Sequence, residues 1–171
     1  MIVAGNKDDR LAKCIYEAYP EGKFYSRTCG GFDLTNKNQR DNFINESLSH
    51  DVFISCSCLY DFNQLLLVKE LWLRWVEEKH KGTIIVFGSV ADNILASVYS
   101  IEKRALKEYC TLISRLSAKN GIKVTYLAPG LIESEYENVG KLDPLYLVDT
   151  IKWILAQPTN IEIQFLSIIP V

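Results

Sequence analysis

Short apolar runs and helical periodicities take turns along this chain. "MIVAG" at 1–5 reads as a short buried strand. "DDRLAKCIYEAY" follows with Leu11, Ile15, Ala18 and Tyr19 at helical spacing, until Pro20 and Gly22 end the pattern. "KFYSRTC" predicts a second strand. Beyond Gly30 and Gly31, "FDLTNKNQRDNFINES" predicts a short strand running into a polar helix capped near Thr35. "DVFISCSC" predicts another strand, and 61–80 a long helix. "GTIIVFGS" is β-branched, apolar and bounded by glycines, as a buried parallel strand should be. A second long helix is expected over about 97–120. It is followed by the strand "IKVTYLAPG", the helix "PLYLVDTIKWILAQP" and the closing strand "IEIQFLSII". No repeat and no low-complexity linker interrupts the series, so residues 1–171 are expected to form a single domain.

Strands alternating with helices through short connections imply parallel strands joined by right-handed crossovers. The expected fold class is therefore α/β, a Rossmann-like doubly wound parallel sheet in a three-layer αβα arrangement. In such sheets ligands bind beyond the carboxyl ends of the strands. Gly5 and Asn6, Ser26 and Arg27, 55–58, Ser89, and Pro129 with Gly130 all fall at those ends. They should converge on one crevice.

Composition narrows the classes. The chain has 171 residues, 48% of them hydrophobic, enough for one proper core. Its 19 basic and 21 acidic residues are mixed along the chain and give a net charge of -2, so no basic stripe points to nucleic acid. Neither "LLLV" nor "GTIIVFG" is long enough to span a bilayer, and the N-terminus lacks a signal-peptide pattern. Five cysteines (Cys14, Cys29, Cys56, Cys58 and Cys110) show no disulfide-like spacing, which points to reduced thiols and a cytoplasmic location. Cys56-x-Cys58 lacks a second cysteine pair, and with only His50 and His80 available no metal site is expected.

The segment "SVYSIEK" places Tyr99 four residues before Lys103, on one face of a helix. A phenol titrating at about 10 is a poor acid-base group at neutral pH, and a lysine cation alongside is expected to lower that value. Upstream lies Ser89 in "VFGSVAD", and downstream a strand ending in Pro129 and Gly130. This ordered series resembles the short-chain dehydrogenase/reductase family over nearly the whole chain. "DVFISCSC" stands where that family has a strand ending in Asn-Asn-Ala-Gly, and "FDLTNKNQ" resembles its Asp-containing segment that contacts adenine.

The resemblance implies an NAD(P)-dependent oxidoreductase acting on a small carbonyl or alcohol substrate. Tyr99 would be the acid/base, Ser89 would bind the substrate oxygen, and Lys103 would also hold the nicotinamide ribose. Asn63 would hold a water for proton relay. Cofactor contacts are implied for Gly5, Asn6, Arg27, Asp33, Ser55, Lys103, Pro129, Gly130 and Ile132. The second strand carries Arg27 and no carboxylate at its end, which favours NADP over NAD. The two long helices would pair between subunits in a homodimer or homotetramer. The chain also departs from the family. Gly5 remains in the first turn, but Asp9 and Leu11 stand at the other glycine positions, where a carboxylate would repel a diphosphate and a leucine would crowd it. A non-catalytic dinucleotide-sensing or protein-interaction domain is the alternative reading.

Overall fold

The structure, a computed structural model, describes residues 1–28, 31–93, 97–132 and 141–170. Six strands form one parallel sheet: β1 (Ile2–Ala4), β2 (Lys23–Tyr25), β3 (Val52–Ser55), β4 (Gly82–Phe87), β5 (Ile122–Pro129) and β6 (Phe165–Ile168). Their spatial order is β2-β1-β3-β4-β5-β6. Between them in the chain lie α1 (Arg10–Ala18), α2 (Lys37–Ser47), α3 (Asn63–Glu77), α4 (Val98–Ser117) and α5 (Pro144–Leu155). The Rossmann-like, doubly wound αβα architecture is thus the one that the alternation predicts. Among the described residues no helix is long and apolar enough to cross a membrane.

Strand β4 shows how the sequence sorts the layers. Ile84 and Val86 point to one side, where Leu67, Leu71 and Trp75 of α3 meet Leu106 and Ile113 of α4. Ile85 and Phe87 point to the other, against Ile15 of α1 and Leu147 and Ile151 of α5. Period-2 alternation on a strand buried on both faces produces this division. Each fully buried side chain of this kind contributes about 1.5–3 kcal/mol, so packing on the sheet, rather than helix propensity, holds the helices in place.

Two segments differ from the sequence expectation. The strand expected over 23–29 is confined to Lys23–Tyr25, and the strand expected at "FDL" does not form. Asp33 turns the chain instead: its Oδ1 accepts from the Thr35 amide at 2.9 Å and the Thr35 hydroxyl at 2.7 Å. Asn36, next to Thr35 as expected, then caps α2, its Oδ1 accepting from the amides of Asn38 and Gln39. The loop is fastened from below by Arg40, only 5% exposed, which donates to the carbonyls of Leu34 (3.1 Å) and Thr35 (3.2 Å). Its Nε pairs with Glu70 of α3 at 2.7 Å. The long helices are also shorter than expected. Asp61 and Phe62 adopt left-handed conformations (φ 56° and 58°), so α3 starts at Asn63, and Lys79 (φ 53°) lies just past its end.

Two outcomes follow from these contacts. Glu70→Leu leaves a buried guanidinium without its carboxylate and should cost about 3 kcal/mol, read as a lower urea midpoint. An unchanged midpoint would show the pair to be energetically idle. At the sheet edge, Glu46 of α2 accepts from Lys23 and Tyr25 of β2. Lys23 first, then Tyr25, holds the Glu46 carboxyl below its ordinary value. That stabilisation is complete above the ordinary carboxylate value of about 4.3 and is lost as pH falls through the lower folded one. Glu46→Gln should therefore flatten the acid limb of the stability curve, measured by denaturation at stepped pH.

Candidate active site

A cleft of about 510 Å³ opens beyond the carboxyl ends of the strands, within the ~300–1,000 Å³ range of small-molecule sites. The β1–α1 turn contributes Asn6, Asp9, Arg10 and Leu11 to its wall. The loop after β2 contributes Arg27, Phe32 and Asp33, and the segment after β3 contributes Cys56, Ser57 and Cys58. Tyr99 and Lys103 reach it from α4, and Pro129 and Ile132 close the far side.

The register of α4 is set from beneath. Tyr126 of β5 is fully buried, and its hydroxyl donates to the Lys103 carbonyl at 3.1 Å. A Cβ on Gly88 would lie 1.9 Å from that tyrosine ring, so only glycine leaves the ring its place. Beyond Ser89 the short 3-10 turn Val90–Asn93 is tied to α4 twice. Arg104 donates to the Asp92 carbonyl at 2.8 and 3.1 Å, and Lys107 pairs with the Asp92 carboxylate at 3.3 Å. Ser89 thereby sits beside the helix that carries Tyr99, near enough to its phenol to oppose part of the shift that burial gives it.

The electrostatics differ from the expectation of a lowered phenol. Burial, first of all, pushes Tyr99 above its ordinary value, and Ser89 pulls it back only in part. The Lys103 Nζ stands over the Tyr99 ring, 5.4 Å from the centroid, and donates to Gln64 Oε1 at 2.6 Å. Lys103 is itself buried, and burial lowers its pKa, opposed by Cys58 and Glu102.

The structure brings Asn6, Arg27, Asp33, Tyr99, Lys103, Pro129 and Ile132 together in the cleft wall, with Ser89 near Tyr99 beside it. Others of the expected set stand elsewhere. The Asn63 amide donates to the Tyr60 carbonyl at 2.7 Å at the start of α3; its neighbour Gln64 is the residue that reaches Lys103. Ser55 is fully buried and accepts from Gln64 Nε2 at 3.1 Å, facing the α3 layer rather than the cleft. Gly5 is bare because a Cβ there would lie 2.5 Å from Cys56 Sγ and 3.1 Å from Ala12 Cβ. Gly130 serves the sheet: its amide donates to the Ile168 carbonyl at 2.7 Å, and a Cβ would meet Pro170 at 2.8 Å. Residues 133–140, which follow Ile132, lie outside the described residues, as does Cys29. The other four cysteines are free, with Cys56 pushed up to about 12 by burial.

Leu11 does not crowd the turn as the sequence implied. It is buried in the α1–α5 layer with Val3 and Ile15, and only borders the cleft. Asp9 and Arg10 are both largely exposed, 4.0 Å apart, and Arg10 holds a left-handed φ of 33°. Cys58, within the 55–58 segment expected at the strand ends, and Arg10 of the first turn also line the cleft. Gln64 is the residue that sequence reasoning missed, although it lies on the buried stripe with Leu67, Val68, Leu71 and Trp75 at helical spacing. Among the described residues no group of His, Cys, Asp and Glu is arranged to hold a metal ion.

No protein-family model matches the chain. A serine 3-dehydrogenase of Agrobacterium fabrum is 31% identical over 113 residues, covering 54% of this chain and 45% of that one. The chain spans 45% of the length of an oxidoreductase of Staphylococcus haemolyticus, at 27% identity, and 69% of one from Staphylococcus aureus, at 22%. A short chain dehydrogenase from Leptospira borgpetersenii, solved with bound NAD+, superposes with a TM-score of 0.78 at 15% identity, over 99% of this chain and 90% of that one. A short chain dehydrogenase from Burkholderia cenocepacia, in complex with NADP, gives 0.79 at 18% identity, over 98% and 86%. With this sheet order and these superpositions, the chain has the fold of the short-chain dehydrogenases/reductases, and part of its sequence is similar to one of them.

Proposed function

We propose that the chain is an NAD(P)-dependent oxidoreductase that interconverts a small carbonyl and its alcohol. The observation that carries this reading is the group of Ser89, Tyr99 and Lys103 at one end of a cleft at the carboxyl ends of the strands. The wall residues fit a dinucleotide. Arg10 and Arg27 offer guanidinium donors to anionic oxygens, and Asp33 offers a carboxylate at the β2 end of the cleft. Asp9 opposes an anion, but it is exposed beside Arg10, which moderates its charge.

The bound nicotinamide would supply or accept the hydride. The chain's own residues handle the proton and the geometry. In the reductive direction the Tyr99 hydroxyl gives its proton to the carbonyl oxygen as that oxygen gains charge, and Ser89 holds the same oxygen in line. In the oxidative direction a Tyr99 phenolate removes the alcohol proton. Burial keeps the phenol neutral at rest, and the Lys103 ammonium over its ring sets a positive charge beside the phenolate once it forms.

Three outcomes test this. Tyr99→Phe should lower turnover by at least about 100-fold, while dinucleotide affinity and thermal midpoint stay close to native, since only a hydroxyl is lost. With Tyr99 held above its ordinary value by burial, kcat/KM for alcohol oxidation should climb with pH from about 7 to about 10, whereas carbonyl reduction should fall only at the alkaline end. A flat oxidative profile would remove Tyr99 from the proton step. For the cofactor, the reading favours NADP, with Arg27 gripping the 2′-phosphate. Calorimetry should show tighter NADP than NAD binding, and Arg27→Ala should weaken NADP by about tenfold or more while leaving NAD nearly unchanged. Native protein that binds neither dinucleotide would leave the protein-interaction domain as the reading.

The same family likeness supports a two-fold symmetric assembly through α3 and α4. Leu73 on α3 and Leu112 and Leu116 on α4 are about half exposed, an apolar surface that a second copy would cover. Sedimentation at micromolar concentration should give at least a dimer.

A further inference from the structure

The buried amide of Gln64 joins three elements at the floor of the cleft. Its Nε2 lies 3.0 Å from the Phe87 carbonyl of β4 and 3.1 Å from Ser55 Oγ of β3. A carbonyl oxygen only accepts, so the atom facing Phe87 must be the amide NH₂. Oε1 is then left to face the Lys103 ammonium, a group that only donates, at 2.6 Å. Two independent partners thus fix the same amide orientation. Gln64, Ser55 and Lys103 are all nearly or fully buried, which leaves little room for water to substitute for any of these bonds.

We propose that Gln64 is the positioning residue for Lys103, an amide clamped between β3 and β4 that holds the lysine ammonium in the cleft beside Tyr99. The contact itself stands on geometry alone; its consequence for catalysis rests on the oxidoreductase reading. Gln64 would make the lysine's position a property of the sheet rather than of ordered solvent or of α4 alone. The other titratable groups facing Lys103 are Cys58 from the segment after β3, and Glu102 and Tyr99 from α4. Burial disfavours the ammonium, and an amide oxygen at hydrogen-bond distance offsets part of that penalty.

The test is an NMR titration of the full chain carrying ¹³C at the lysine ε-carbons, with Lys103 assigned through Lys103→Arg. Gln64→Met removes the acceptor at nearly constant volume and should lower the Lys103 midpoint by about one pH unit. Gln64→Glu puts a carboxylate beside the ammonium and should raise it by about as much. Ser55→Ala loosens one anchor and should give a smaller shift of the same sign as Gln64→Met. If Gln64→Met does not fold, the other two variants decide. A purely structural glutamine would not move the midpoint in opposite directions. Midpoints that stay at the native value, or shift the same way in the Met and Glu variants, overturn the proposal. In the catalysed reaction kcat should fall about tenfold in Gln64→Met, with a much smaller change in KM for the carbonyl substrate. Equal kcat in native and Gln64→Met protein overturns the catalytic role. Native protein that binds no dinucleotide defeats the oxidoreductase reading instead, and the titration still judges the contact.

Discussion

A single side chain, Tyr126, fixes how the end of β4 and the helix α4 sit against each other. Its ring fills the space that a Cβ at Gly88 would need, and its hydroxyl bonds the main chain of α4 at Lys103. The strand that ends before Ser89 and the helix that carries Tyr99 are therefore registered against the same buried ring. A helix displaced along its axis by one residue would rotate its face by about 100° and take both Tyr99 and Lys103 out of the cleft. The ion pair from Lys107 to Asp92 and the Arg104 bonds to its carbonyl extend the same register to the turn beyond Ser89. The cleft is the open end of this arrangement, and its shape follows from packing laid down one layer deeper.

Much of the fold is legible in the pattern of positions, because burial on both faces of a parallel sheet writes itself as continuous apolar runs. Ile84 to Phe87 serve two cores at once, and that requirement leaves little room for any other reading. The segment at 32–34 misleads for a physical reason. Phe32, Asp33 and Leu34 alternate as a strand would, yet the Asp33 carboxylate offers the Thr35 amide a nearer partner than a neighbouring strand can. Local side-chain bonding therefore decides a segment whose periodicity is ambiguous.

The site is legible in part. Tyr99 and Lys103 declare themselves by spacing because both belong to one helix, and helical geometry converts an interval into a shared face. Asn63 and Gln64 are adjacent, and resemblance by spacing alone cannot tell neighbours apart. The apolar stripe can: Gln64 repeats with Leu67, Val68, Leu71 and Trp75, which makes it a polar residue on a buried face and hence one that needs partners. Ser55 follows the same logic. It shares a strand face with Phe53, whose ring packs in the α2–α4 layer, so its hydroxyl meets α3 and not the cleft.

The loop after β2 shows how a sheet ends where no further strand pairs with β2. Backbone groups there lack a ladder, and unpaired buried carbonyls are costly. Arg40 supplies the missing donors, reaching the carbonyls of Leu34 and Thr35 from α2 while Glu70 on α3 balances its charge. A buried guanidinium is itself expensive to desolvate, and it persists because its fork meets several acceptors at once. The loop so fastened carries Arg27, Phe32 and Asp33 into the wall of the cleft. The charged pair beneath the sheet edge and the cleft wall above it thus share one segment of chain, so the packing that holds Arg40 also bears on the shape of the cleft.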